Sequence, residues 1–225
     1  MVPLSFLPYN PVLTGLRDRA MLLIAFYIAI TAEAMTAALA AGRRNMDWFG
    51  VCLIACVTAV GGGTIRDLLL DHYPLFWVEN PYVLLLVCGA ALLTIPLARV
   101  MDKLRWPFLL LDALGLVVFT VIGCNIGIEA GVHPIIVIVA GMVTGTAGGI
   151  LRDVLCNDVP LIFQGELYAT VSMVAGIIYF VGLLNGLPVE VMATIAIVVG
   201  FTLRVLALRF KWEMPKFVYD RDMRK

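Results

Sequence analysis

The stretch GGGTIRDLLL at residues 61–70 ends an apolar run with three glycines, an arginine and an aspartate. A similar stretch begins at residue 147, and its Arg152-Asp153 pair follows Arg66-Asp67 at an offset of 86 residues. Seven residues are identical between 61–77 and 147–163. The chain is therefore predicted to contain one structural unit twice.

The composition is typical of a membrane protein. Of the 225 residues, 62% are hydrophobic and only 14% are charged, whereas soluble domains carry about 25% charged residues. The net charge is zero and no block of like charge suggests a nucleic-acid partner. The five cysteines show no CxxC spacing, so neither a disulfide framework nor a metal site is predicted.

Seven apolar segments follow an N-terminal arm at residues 1–19. Each is close to the ~20 residues that a helix needs to cross a bilayer. Only helices and closed barrels satisfy their backbone in lipid, and continuous apolar runs indicate helices. The predicted transmembrane helices are 20–41, 48–66, 82–99, 108–126, 134–152, 166–184 and 188–208.

The basic residues predict the orientation. With the N-terminus outside, 13 Lys and Arg residues fall on the cytoplasmic side and 3 fall outside, as the positive-inside rule favours. Each repeat has three spans, an odd number, so the second copy is inverted, and inverted repeats place a functional site near the midplane. We therefore predict an all-α membrane protein with seven transmembrane helices: repeats at 20–106 and 107–187, a seventh helix at 188–210 and a cytoplasmic tail at 211–225.

Glycines at matching positions predict that the second and fifth spans are interrupted. Glycine in a helix interior costs about 1 kcal/mol relative to alanine, and a broken backbone in a membrane must be buried or line a wet cavity. Carbonyls and hydroxyls at a break can bind a cation. The predicted pore or kink residues are Gly61, Gly62, Gly63, Thr64, Thr144, Thr146, Gly148 and Gly149. The alternative is close helix packing through small residues, which Gly141 and Gly145 fit.

Two arginine–aspartate pairs, Arg66-Asp67 and Arg152-Asp153, follow these glycines. An arginine at the centre of a membrane helix costs ~2.5–3.5 kcal/mol, so such residues usually mark a pathway or a clamp. Neighbouring helical residues point about 100° apart, so Arg66 can pair with Asp153, and Arg152 with Asp67, instead of within each copy. The arginines either gate a pathway, brace the fold or bind lipid phosphate.

Two further acidic residues break the repeat symmetry. Glu33 lies well inside the first span, where its counterpart in the repeat is Phe119, and Asp112 corresponds to Phe26. Glu33 is a candidate cation site, proton carrier, partner of Arg66 or structural hydrogen-bonding group. Asp112 either caps its helix or faces the cavity. No nucleophile–base pair or soluble catalytic domain is recognisable, so an enzyme is not expected.

These motifs resemble the bacterial UPF0126 repeat. The first copy matches at Ala40-Ala41-Gly42-Arg43-Arg44 and at Gly61-Gly62-Gly63-x-x-Arg66-Asp67-Leu68-Leu69 with Pro74. The second matches at Asp112-x-x-Gly115 and at Gly148-Gly149-x-x-Arg152-Asp153 with Pro160. The family is related to the trimeric intracellular cation (TRIC) channels, which have an inverted repeat of three helices and a last helix. The resemblance implies a homotrimer with a pore in each protomer, conducting chiefly K⁺ and Na⁺; bacterial members are also described as glycine transporters.

The first helix departs from the family's pattern. Where the family often has Asp-x-x-Gly and Phe-Ala-x-Ser-Gly, this chain has Phe26-Tyr27-Ile28-Ala29 and Glu33-Ala34-Met35-Thr36-Ala37. A carboxylate therefore stands at Glu33 where an aromatic residue is usual, so family roles are not carried over to this helix.

The expected function is a monovalent cation channel in the bacterial inner membrane, with the N-terminus outside and the C-terminus cytoplasmic. A transporter of glycine or another small amino acid is the first alternative, and a structural lipid-binding protein is the second. The expected partners are K⁺ or Na⁺, membrane lipids and further copies of the chain. No cofactor is expected apart from bound phospholipid.

Overall fold

The computed structural model describes residues 16–100, 105–164 and 167–215. Within them the chain forms eight α-helices: α1 (Leu16–Arg43), α2 (Trp48–Leu70), α3 (Phe76–Glu79), α4 (Tyr82–Val100), α5 (Arg105–Glu129), α6 (Pro134–Leu155), α7 (Tyr168–Leu184) and α8 (Val189–Phe210). Seven match the predicted spans in order. The short α3, between α2 and α4, was not predicted. Much of the predicted arm and tail lies outside the described residues.

The helices have the length and composition of membrane spans. Among the described residues, five helices are long and apolar enough to cross a bilayer: α1, α2, α5, α6 and α8. Shorter apolar helices occur at Tyr82–Ala98 and Tyr168–Leu184. The protein is therefore an all-helical membrane protein, as the composition predicted.

Local signals set several helix ends. Asp47 caps α2, and its carboxylate accepts a hydrogen bond from the Gly50 amide at 2.7 Å, which satisfies one of the free amides of the first turn. Pro134 opens α6, where its fixed φ suits the first helical position. Asp71 and Lys211 end α2 and α8 in the left-handed conformation, both at φ 53°.

Small residues bring the central helices together. Helix α6 packs against α5, α2 and α7, and α1 packs against α2, α4 and α5. On α6, a methyl group added to Gly141 would lie 2.8 Å from the Thr120 carbonyl oxygen of α5. A methyl group at Gly145 would likewise collide with the Leu116 carbonyl. Both glycines therefore serve close packing, as their spacing predicted.

The α5–α6 contact predicts the effect of a single methyl group. Gly141→Ala should lower the free energy of unfolding by about 1–3 kcal/mol, because a backbone carbonyl cannot move aside as a side chain can. Gly89→Ala on α4 is the control, since no atom lies within 4 Å of its added methyl group. Unfolding in mixed micelles measures both variants. Equal stability of the two would contradict the packing argument.

Candidate functional site

Helices α2 and α6 touch backbone to backbone where the two glycine motifs meet. A methyl group on Gly62 would collide with the Thr144 carbonyl oxygen, and one on Gly148 would collide with the Thr58 carbonyl oxygen. The offset of 86 residues relates Thr58 to Thr144 and Gly62 to Gly148, so the two contacts are reciprocal. Only glycine permits this approach, because any side chain would separate the helices.

The predicted interruption of these helices is wrong. Both are fully described, and α2 runs unbroken through Gly61–Gly63, as α6 does through Gly148 and Gly149. The glycines serve close approach, and the backbone keeps its helical hydrogen bonds. Nearby threonine hydroxyls donate to the carbonyl one turn earlier in their own helix, in the pairs Thr58–Ile54, Thr64–Val60, Thr144–Ala140 and Thr146–Met142, at 2.6–2.8 Å. The oxygen lone pairs of Thr58 and Thr144 remain available as acceptors, whereas Thr64 Oγ1 accepts a hydrogen bond from Trp77.

A cavity of about 470 Å³ lies beside the crossing. Residues of α1, α2, α5 and α6 and of the segment around α3 line it. Towards the C-terminal ends of α2 and α5, the polar lining residues are Arg66, Asp67, His72, Glu79, Asn125 and Glu129. Deeper in the helices, Glu33, Thr58, Gly62, Thr144 and Gly148 line the same space. Among these residues the carboxylates outnumber the single arginine, and an excess of negative charge attracts cations.

The first ion pair closes within its own copy of the motif. Arg66 donates to Asp67 Oδ1 from Nε at 2.9 Å and from Nη2 at 2.7 Å. Both side chains are buried, and His72 Nδ1 lies 3.1 Å from the same oxygen. Nearby, the Trp77 indole N–H donates to Thr64 Oγ1 at 3.0 Å. These bonds hold the segment around α3 against α2 beside the cavity.

The second arginine is the centre of a larger buried cluster. Arg152 is 0% exposed and donates to Asp153 at 2.8 Å and to Asp112 at 2.7 Å. Its Nη1 also donates to Thr36 Oγ1 at 3.2 Å. The guanidinium carbon lies 4.8 Å from the centre of the Phe108 ring, a cation–π contact. Arg152 therefore ties α6 to α5 and α1.

Pairing across the repeats does not occur for these four residues, so that alternative is wrong. A long arginine side chain can curl back to the next residue although the two Cα–Cβ bonds diverge. Glu33 likewise lies beside the second arginine, with its Oε2 4.0 Å from Arg152 Nη1, and not within ion-pair distance of Arg66. Asp112 is fully buried and bonded to Arg152. It therefore neither caps its helix nor lines the cavity.

The two arginines have different surroundings at equivalent positions. Arg152 is surrounded by Asp112, Glu33 and Thr36. The offset of 86 residues converts these positions to Phe26, Phe119 and Ile122, all of which line the cavity together with Arg66. The rings of Phe26 and Phe119 meet edge to face, with centroids 6.0 Å apart. One half of the molecule therefore has carboxylates where the other half has apolar groups.

Sequence reasoning missed two members of the second cluster. Tyr168 is 2% exposed, and its hydroxyl faces Gly149, where an added methyl group would lie 3.0 Å away. Arg204 is 0% exposed, and its guanidinium carbon lies 4.9 Å from the centre of the Tyr168 ring. In the orientation argument, Arg204 was one of the 13 basic residues on the cytoplasmic side. Its position inside the last apolar segment was a signal of the same kind that singled out Arg66.

Comparison with known proteins shows one family. A family model described as "Glycine transporter" matches residues 23–99 and 109–184. The UPF0126 inner membrane protein YadS of Escherichia coli (strain K12) is 40% identical over 193 residues, which cover 85% of this chain and 93% of that protein. A UPF0126 membrane protein of Vibrio cholerae is 34% identical over 205 residues, covering 91% of this chain and 86% of that protein.

Solved structures share the fold. A TRIC trimeric intracellular cation channel orthologue from Rhodobacter sphaeroides superposes with a TM-score of 0.82 at 34% identity, covering 85% of this chain and 99% of that chain. A prokaryotic TRIC channel in 0.5 M KCl superposes with a TM-score of 0.81 at 27% identity, covering 87% and 100% respectively. The arrangement of helices described above is therefore that of the TRIC channels.

The Arg152 cluster predicts a large loss of stability when one carboxylate is removed. Asp112→Ala leaves Arg152 Nη1 without its shortest buried hydrogen bond, although Asp153 still balances the charge, so the free energy of unfolding should fall by about 1–3 kcal/mol. Arg44→Ala is the matched control, because Arg44 pairs with Asp158 on the surface, where a pair contributes about 0–1 kcal/mol. Unfolding in mixed micelles compares the two, and losses of similar size would show that the cluster is not a structural centre.

Proposed function

The chain belongs to the UPF0126 family, and we propose that it is a monovalent cation channel of the bacterial inner membrane, selective for K⁺ and Na⁺. The observation that carries this proposal is the acid-lined cavity that reaches the α2–α6 crossing. The similarity to TRIC cation channels over nearly the whole of those chains supports it. Catalysis is not part of the proposal, since the charged side chains described at the site form ion pairs with one another.

The proposed path runs past the glycine crossing. Thr58 and Thr144 line the cavity, and their hydroxyl hydrogens are already engaged by helix carbonyls. Their oxygens can therefore accept a cation, as oxygen ligands in channels do. Beyond the crossing, Arg152 and its carboxylates fill the space between α1, α5 and α6. We propose that movement of this cluster opens the path, while the Arg66-Asp67 pair braces the other end.

The architecture proposed for this function is a homotrimer with one path in each protomer. Within the protomer, two inverted three-helix repeats are followed by a seventh membrane helix, α8. The reciprocal contacts of Gly62 with Thr144 and of Gly148 with Thr58 support a two-fold relation between the repeats. With the N-terminus outside, the cavity faces the exterior and Arg152 lies towards the cytoplasm. We propose that phospholipid binds around the protein and that the function requires no cofactor.

Transport of glycine or another small amino acid is the second candidate. Arg66 and Glu33 line the same cavity, so opposite charges are available for the two ends of a zwitterion. The description of the family model also favours this candidate. Inverted repeats suit carriers as well as channels, so the two candidates differ in their kinetics and not in their architecture.

Single-channel recording in planar bilayers tests the channel. Wild-type protein should pass K⁺ currents, and Gly62→Ala and Gly148→Ala should lower the unitary conductance severalfold, because each methyl group forces α2 and α6 apart. Gly89→Ala should conduct as the wild type does, since its methyl group meets no atom within 4 Å. Elution as a folded oligomer in detergent is checked first for each variant.

Two results would overturn the channel. Absence of K⁺ current from folded wild-type protein would do so directly. Saturable glycine uptake into liposomes without single-channel events would replace the channel with the carrier.

A further inference from the structure

Glu33 is a buried carboxylate with incomplete partners. Its side chain is only 3% exposed, and it lines the cavity. Oε2 accepts a hydrogen bond from Thr36 Oγ1 at 3.3 Å, and no described residue donates a hydrogen bond to Oε1. The nearest positive group, Arg152 Nη1, is 4.0 Å away. In contrast, the other buried carboxylate of the lining, Asp67, receives two hydrogen bonds from Arg66.

The positive charge of Arg152 is already balanced by two other carboxylates. The guanidinium donates to Asp112 at 2.7 Å and to Asp153 at 2.8 Å. Glu33 therefore adds a third carboxylate around one arginine. A buried charge without a close partner is costly, and the cost is removed when the charge is paired or neutralised.

Only one of these carboxylates can be reached from the cavity. Asp112 Oδ2 also has no hydrogen-bond partner among the described residues, but Asp112 is 0% exposed and is absent from the cavity lining. Glu33 is held in place by Gly115, where even a methyl group would collide with Oε1. The carboxylate is thus fixed at the inner end of the cavity by the packing of α1 against α5.

We propose that Glu33 binds one small monovalent cation at the inner end of the cavity, with Oε1 as a direct ligand. This inference rests on the proposed function, to which it adds a selectivity site on α1, outside the glycine motifs. One free carboxylate balances the charge of a monovalent ion, and water in the cavity can complete its coordination, whereas a Ca²⁺ site needs several carboxylate and carbonyl ligands.

A proton neutralises the same carboxylate, so protons compete with the cation. The charged and titratable groups around Glu33 are Asp112 on α5, Arg152 and Asp153 on α6 and Tyr168 on α7, and the cavity adds Arg66, Asp67 and His72 at the end of α2, Glu79 on α3 and Glu129 on α5. Arg204 on α8 lies over the Tyr168 ring. Cation binding should therefore weaken as the pH falls.

Thermal unfolding of the purified protein in detergent tests the site without any need for conduction. A cation that binds only the folded state stabilises it by an amount that grows with the logarithm of the cation concentration above its Kd. KCl should raise the unfolding temperature of the wild type relative to N-methyl-D-glucamine chloride at equal ionic strength. Glu33→Gln should weaken the apparent K⁺ affinity by at least about tenfold, because it removes a unit charge next to the ion.

Two variants separate charge from packing. Glu33→Asp retains the charge and should keep the response to K⁺. Asp158→Asn makes the same carboxylate-to-amide change at the surface, in the pair with Arg44, and should respond as the wild type does. If Glu33→Gln does not fold, Rb⁺ soaked into wild-type crystals provides the test: an anomalous peak beside the Glu33 carboxylate supports the site, and none there overturns it.

The outcomes distinguish this inference from the proposed channel. An unchanged K⁺ response in Glu33→Gln, or no response in the wild type, overturns the Glu33 site even if the protein conducts. A K⁺ response that depends on Glu33 supports the site even if no current is recorded. The absence of current would overturn only the proposed channel.

Discussion

The approach of α2 to α6 is the contact on which the rest of the site depends. Gly62 and Gly148 allow each backbone to meet a threonine carbonyl of the other helix. Each glycine costs about 1 kcal/mol of helix propensity, and the close packing offsets it because backbones gain dispersion contacts that side chains would prevent. The same crossing places the hydroxyls of Thr58 and Thr144 on the cavity and the arginines one turn further along.

The two arginines of the repeated motif carry their counter-charges with them. Arg66 and Arg152 each bond the aspartate that follows them in the chain, so the motif brings its own counter-charge into the apolar region. This reduces the cost of a buried arginine. It also explains why the arginine and aspartate are adjacent in both copies: each pair is formed within a single helix.

The seven membrane helices could be predicted from the sequence, because the length of an apolar segment is a local property. The repeat could be predicted because its motifs recur at a constant offset. It was insufficient for the glycines, since a run such as Gly61–Gly63 suits both a broken helix and a close crossing. The neighbouring backbone decides between them. The partner of Arg66 depended on a side-chain rotamer. Tyr168 joined the cluster through tertiary packing against Gly149 and Arg204.

The unequal surroundings of the two arginines make the two ends of the proposed path different. Phe26 and Phe119 occupy the positions on one side that Asp112 and Glu33 occupy on the other. In the proposed channel, an ion would meet the Glu33 and Asp112 carboxylates off centre, so its electrostatic energy would differ between the two ends of the path. Equal and opposite voltages would then drive unequal currents, so the different side chains at equivalent positions would make the proposed channel a rectifier.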